Sequence, residues 1–299
     1  MHSGPVQFAW REPGCWRQFR TGVSLHSHTW HSREAIPIGN LAWTPPLSPR
    51  EALALESGQI RSLGLEPLVS LTDHDDIEAG LRLRVLSDSR HTPISVEWTV
   101  PWQGTIFHLG LHQLPARRAH AVMGELRRIT THAAAAAIEG MLEWLHAGEE
   151  TLIILNHPYW VEHGCRRAHH EEVLPCFLRR LRPFLHALEL NGFRPWRENE
   201  RVCALAQRAG LPLISGGDRH GLEPNANINL TQARTFAEFA EEVRHDVRSN
   251  VLFMPQYRRN LTARIARTVG EVVASRLNPM KPVLAPAPSL PVSSDTVTS

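Results

Sequence analysis

The chain has 299 residues, 42% of them hydrophobic, and a formal net charge of +2 with both signs interspersed. That supplies one large core but no basic footprint of the kind duplex nucleic acid requires. Cys15, Cys165, Cys176 and Cys203 form no C-x-x-C pair, which argues against a thiolate zinc site or a disulfide framework and for reduced thiols. No apolar run reaches 18 residues and residues 1–20 hold no apolar leader core, so the expectation is a soluble, cytoplasmic protein without a membrane partner.

In chain order, residues 1–20 read as an N-terminal extension. Seven short apolar runs then read as strands: 22–28, 67–72, 93–98, 105–111, 152–156, 186–191 and 212–216. Helical patterns separate most of them. The first, 48–63, opens with Ser48, Pro49 and Glu51, the signature of a capping box with proline in the first turn. Others cover 76–87, 117–147, 170–181, 198–209 and 235–248, with 251–254 as a late strand and 261–274 as a closing helix. The 93–112 stretch leaves no room for a crossover helix, so its two strands are joined by a turn at 98–104. Residues 278–299 are proline-rich, lack periodicity and read as a disordered tail. Alternating strand and helix predicts an α/β domain over 21–277 with a parallel, helix-wrapped sheet, its chemistry at the strand C-termini.

The chemistry is carried by histidines and acids near the ends of those runs: His26 and His28, Asp73 and His74, Glu97, His157, and Asp218 and His220. On a strand, residues i and i+2 share a face, so His26 with His28 and Asp218 with His220 are each expected to act as pincers. Imidazole with carboxylate suits zinc, manganese or divalent iron rather than calcium or magnesium. Rival sources of catalysis are absent. Lys281 is the only lysine, and there is no G-x-S-x-G elbow, P-loop or G-x-G-x-x-G.

Taken in order, these motifs resemble the PHP (polymerase and histidinol phosphatase) superfamily over residues 20–221. The resemblance implies a distorted seven-stranded β/α barrel of PHP type. It places His26, His28, Glu97 and Asp218 on one metal, with Glu97 bridging to a second held by His108 and His157. His108 is favoured over His112 by the family register. A third metal would take His74, His220 and a residue shortly after the first motif. There this chain departs: Arg33 stands where many members have Asp, and Glu34 lies six residues after His28, so Glu34 is the candidate replacement and His31 a weaker one. The other reading is a two-metal site with Arg33 in place of the third cation.

Two or three divalent ions are therefore expected, with Glu97, Asp218 and His220 as the catalytic group. The implied function is a metal-dependent phosphoesterase acting on a small phosphorylated metabolite or nucleotide through a metal-bridging hydroxide. Arg33, Arg194 and Arg197 are candidate phosphate contacts, and Trp30, Trp98, Trp160 and Trp196 are candidate walls for a flat leaving group. An amide-bond hydrolase on the same site, or a catalytically silent scaffold, are the alternatives.

Overall fold

The computed structural model describes residues 6–32, 34–35, 42–246 and 249–277, with the backbone alone at 34–35 and 42–43. The strands are Val6–Phe8 (β1), Thr21–Leu25 (β2), Glu34–Ala35 (β3), Ala42–Trp43 (β4), Glu66–Ser70 (β5), Val96–Trp102 (β6), Thr105–His112 (β7), Leu152–Asn156 (β8), Ala187–Asn191 (β9), Leu213–Gly216 (β10), Asn227–Thr231 (β11) and Val251–Phe253 (β12). The helices are Pro49–Ser62 (α1), Glu78–Val85 (α2), Ala119–Thr131 (α3), Ala135–Ala147 (α4), Arg167–Leu181 (α5), Trp196–Ala209 (α6), Phe236–Arg244 (α7) and Leu261–Leu277 (α8).

Each of the seven apolar runs overlaps a strand, but the ladders close no barrel. Among the described residues they form two five-stranded sheets, β1-β12-β11-β2-β5 and β10-β9-β8-β7-β6, beside the β3–β4 ribbon. The sheets meet at two seams through single bridges, Ser27 with Arg219 and His74 with Glu97. The reason is local. Beyond β2, β5 and β10 the backbone turns left-handed at His26 (φ 60°), Asp75 (φ 48°) and Asp218 (φ 52°), which departs from extended geometry and leaves irregular pairing at the seams, such as the Gly217 N–H to the Leu25 carbonyl (3.1 Å). The sheets are also mixed rather than parallel. β7 is antiparallel to β6 and β8, and β11 is antiparallel to β2 and β12.

The stretch set apart as an extension contributes β1, which pairs in parallel with β12. The β6–β7 turn is shorter than the expected 98–104, because pairing continues to Trp102 and Thr105. Only Gln103 and Gly104 turn, both at positive φ, the conformation that suits a two-residue hairpin. The long helical stretch at 117–147 is two helices. Its buried residues are Ala119, Val122, Met123, Leu126 and Ile129 in α3, and Ile138, Met141, Leu142 and Leu145 in α4. At about 100° per residue, one continuous helix would aim these stripes about a third of a turn apart, and the break at 132–134 lets both face the core. The capping box at Ser48 and Glu51 is present. The predicted tail, 278–299, lies outside the described residues.

The space between the sheets is graded. Val23, Leu25, Leu152, Ile154, Ala187 and Ile214 form an apolar layer against Phe236, Phe239, Ala240 and Val243 of α7. Two residues further along the strands, the positions on the same face become polar. Ala187 is followed by Glu189 and Asn191, and Ile154 by Asn156, all buried.

Candidate metal centre

The polar end of that interior brings the predicted donors together in four overlapping groups: His26, His28 and Asp218; His26, Glu97 and His157; His74, Glu97 and His108; and His28, His74 and His220. Within each group the donor atoms lie within 4.8 Å of one another. Glu97 belongs to two of the groups, as do His26, His28 and His74, and five imidazoles approach its carboxylate. Its Oε2 lies 2.9 Å from His26 Nε2, 3.3 Å from His28 Nε2 and 3.2 Å from His74 Nε2, and its Oε1 lies 3.0 Å from His157 Nε2 and 3.7 Å from His108 Nδ1. Asp218 Oδ1 stands 3.7 Å from His26 Nε2 and 3.5 Å from His28 Nε2.

The donors converge for a different reason from the one expected. His26 and Asp218 lie beyond the ends of β2 and β10, and each is left-handed, as is His157 (φ 25°) just past β8. The strand rule of shared faces does not apply to a kinked backbone, so it is the kinks that turn these side chains into the mouth. Non-glycine residues held in this region carry strain of about 1–3 kcal/mol that the surrounding structure must over-determine. Glu97 is likewise not at a strand end. It is the second residue of β6, opposite Gly110 of β7, and His108 pairs with Thr99.

Burial opposes charge on Glu97, yet His26, His74 and His108 hold its carboxyl well below the usual range. Burial likewise opposes charge on Asp218, and the proximity of His28, His26 and His220 holds it low as well. His26 resists burial because Glu189 and Glu97 flank its two nitrogens, raising it well above the ordinary histidine value. His28 goes the other way, to about 3, through burial and the neighbouring His220 and His74. His28 Nε2 is buried with no hydrogen-bond partner, although it faces two carboxylates. A nitrogen lone pair facing a carboxylate cage is what a divalent cation satisfies. The residues therefore fit a metal centre.

Several contributors were not foreseen. Glu189 Oε2 lies 2.6 Å from His26 Nδ1, and its Oε1 accepts from Asn191 Nδ2 (2.7 Å) and from the His157 N–H (3.2 Å). A carboxylate behind an imidazole fixes its tautomer and orientation. The signal was in the sequence: an acid in the middle of an otherwise apolar strand demands a buried partner. Gly216 makes room for it, since a Cβ there would lie 1.9 Å from Glu189 Oε2. Asn156 Nδ2 donates to Glu97 Oε1 (3.0 Å), and Ser32 Oγ accepts from the His74 N–H (3.1 Å). Glu162 Oε2 stands 3.9 Å from His108 Nε2 on the outer side.

His112 stands outside the four groups and bonds through Nδ1 to Ser70 Oγ (2.8 Å), and burial pushes it down to about 3. Arg33 lies outside the described residues, as does the side chain of Glu34, whose backbone pairs with Trp43. His31 Nε2 accepts from the Trp30 indole. Arg194 is mostly buried, lies flat on Trp160 at 3.6 Å and reaches within 3.6 Å of Asp218 Oδ2. Arg197 is exposed. Trp98 is fully buried and bonded to Leu126 and Thr130, Trp196 packs on Phe8 and Phe253, and Trp30 is exposed. Of the four tryptophans, only Trp160 thus stands, through Arg194, against a residue of the donor cluster. A cavity of about 420 Å³ lined by Arg50, Arg61 and His91 borders β5 and shares no residue with the four donor groups. No helix among the described residues is long and apolar enough to cross a membrane.

No protein-family model matches the chain, and no curated protein matches its sequence. Solved structures similar to it include an amidohydrolase from Chromobacterium violaceum with bound sulfate and no metal, at 15% identity and a TM-score of 0.48, covering 74% of this chain and 96% of that one. PsfC from Pseudomonas syringae is similar at 15% identity and a TM-score of 0.48, covering 84% and 99%. A two-domain protein from Bacteroides vulgatus containing a predicted PHP-like metal-dependent phosphoesterase is similar at 13% identity and a TM-score of 0.45, covering 78% of this chain and 65% of that one.

Proposed function

We propose that this chain is a metal-dependent hydrolase of PHP type, and that its reaction is hydrolysis of a phosphate ester on a small molecule. The observation that carries the reading is Glu97: one fully buried carboxylate approached by five imidazoles, beside an unsatisfied His28 Nε2. His26, His28, Glu97 and Asp218 would hold one ion, and Glu97, His108 and His157 a second. His74 and His220 would hold a third, with Glu34 completing it in place of the Asp that Arg33 displaces. Bound divalent ions such as zinc, manganese or iron supply Lewis acidity at the electrophile and a more acidic water.

The chain's own groups divide the remaining work. Glu189 accepts a hydrogen bond from the Nδ1–H of His26 and so presents Nε2 toward the mouth. His220 donates from Nδ1 to the carbonyl of Asp218 (2.9 Å), which leaves its Nε2 to ligate or to hold a proton for the leaving group, one at a time. Arg194, braced by Trp160, offers a planar guanidinium beside Asp218, suited to a phosphoryl oxygen. This cation favours a phosphate over a neutral amide, which the same donor set would otherwise serve.

Elemental analysis of the purified protein, followed by assay on a panel of phosphomonoesters, nucleotides and N-acyl amino acids, tests the reading. Two or three ions and phosphate release are expected. Absence of bound metal after reconstitution removes it, and cleavage of amides alone would replace the phosphoesterase with a C–N hydrolase. Arg194→Lys should mainly raise KM for the phosphorylated substrate, and Glu34→Ala should lower the metal count by one.

A further inference from the structure

We propose that the buried Glu56–Arg219 ion pair is a positioning device that sets where His220 stands against His28 and His74, and hence the affinity of the third ion that His74 and His220 would hold; this rests on reading those residues as a metal site. Arg219 is the middle residue of the last motif, and its side chain belongs to none of the four donor groups. It points the other way and is 3% exposed. Its Nη2 donates to the carbonyl of His28 (2.8 Å), its Nη1 to the carbonyl of Gly221 (2.7 Å), and its Nε lies 2.9 Å from Glu56 Oε1 in an ion pair. The backbone repeats the stitch, since His28 N–H donates to the Arg219 carbonyl (2.9 Å) beside the Ser27–Arg219 bridge.

Glu56, on α1 and fully buried, extends the tie to both sides. It accepts from Ser24 Oγ (2.9 Å), more loosely from Ser27 Oγ (3.4 Å), and from the N–H of Asn225 (3.2 Å). One guanidinium and one carboxylate thus hold the segments carrying the first and last motifs at a fixed separation. That separation is what the cluster reads, because the rings of His28 and His220 stack at 4.1 Å between centroids. The tie adds to a short seam, where one bridge and the backbone bonds from the Gly217 N–H to the Leu25 carbonyl (3.1 Å) and from the Arg219 N–H to the His26 carbonyl (3.4 Å) stand in place of a regular ladder. A buried ion pair adds little stability over apolar residues of the same size, whereas a planar fork that reaches two carbonyls and a carboxylate at once is a task lysine cannot perform.

The test is titration of zinc into chelator-treated wild type, Arg219→Lys and Glu56→Gln proteins, with the melting temperature of each metal-free form measured alongside. Arg219→Lys keeps the charge beside Glu56 and loses the fork. One zinc equivalent should weaken ten- to a hundredfold, the range for partners that orient metal ligands, while the other equivalents and the metal-free melting temperature stay near wild type. Glu56→Gln keeps the acceptor and loses the charge, and should weaken the same equivalent by less. It decides the matter if Arg219→Lys does not fold. Zinc binding unchanged in the folded variants, or weakened equally at all equivalents, overturns the proposal alone. A wild type that takes up no zinc overturns the metal reading and the proposal together.

Discussion

Among the described residues, the mouth cluster and the His146–His186 pair are two groups of histidines at different places in this fold, and only the first has the makings of a metal centre. His146 and His186 meet at 2.9 Å. The Ile153 N–H donates to His186 Nδ1 (2.9 Å), so His186 Nε2 carries the proton and gives it to His146 Nδ1. The relay is closed and neutral. Burial, with Arg244 nearby, pushes His146 down, and burial, Arg244 and His146 push His186 down to about 3. At the mouth, by contrast, Glu97, Asp218 and Glu189 stand among the imidazoles, His26 is raised, and His28 Nε2 has no hydrogen-bond partner. What separates a ligand cluster from a structural one is therefore the buried carboxylate charge, which only a cation or protonated imidazoles can balance.

The sharpest way to break the comparison is to remove that charge. Glu97→Gln preserves side-chain volume, and the expected result is loss of at least one metal equivalent and a fall in turnover of about a hundredfold or more, since losing a mere orienting partner already costs ten- to a hundredfold. Elemental analysis with circular dichroism checks it. A folded variant with full metal content would mean that Glu97 only balances histidine charge.

Next in size is Glu189→Gln, which should weaken zinc binding by about ten- to a hundredfold through His26 without changing the fold, as isothermal titration would record. The remote pair supplies the control. The folded value of His186, about 3, lies below its ordinary one, so on acidification the unfolded chain takes up the proton first. The stability it contributes is complete above about pH 6.5 and is lost as pH falls toward 3. Urea unfolding at pH 7 and pH 4.5 in chelator should show His186→Gln losing less stability on acidification than wild type, by on the order of a few kcal/mol. An identical drop in both proteins would contradict the neutral relay.

The smallest effect belongs to Ser48→Ala. Ser48 accepts from the Glu51 N–H at the start of α1, and losing the cap should cost about 1 kcal/mol. Because α1 carries Glu56 but no residue of the donor cluster, zinc stoichiometry should not move. A lost equivalent would show that the helix as a whole, rather than the Glu56–Arg219 tie, positions the site.

Much of this was legible in the chain. Six histidines, Glu97 and Asp218 were readable as candidate donors because imidazole and carboxylate chemistry is intrinsic to the residue, and their spacing against apolar runs is a one-dimensional property. The α1 cap and the seven runs were readable for the same reason, as hydrogen bonds and periodicities within a few residues. Glu189 was overlooked although an acid within an apolar strand signals a buried partner, because that partner, His26, lies 163 positions away and no local pattern names it. The split of 117–147 escaped for a related reason: its alanines propagate a helix readily, and only the core, by needing two differently aimed stripes, breaks it.

By itself, then, the sequence determined the candidate donor set, the apolar runs that become strands and the cap of α1, all of which follow from side-chain chemistry and short-range geometry. Tertiary structure decided that the two sheets meet through single bridges rather than closing, that His26, His157 and Asp218 turn left-handed into the mouth, and that Arg194 lies on Trp160 beside Asp218. Those are properties of segments brought together across the chain. The free energy that holds a strained residue in place is spread over contacts that no local window contains.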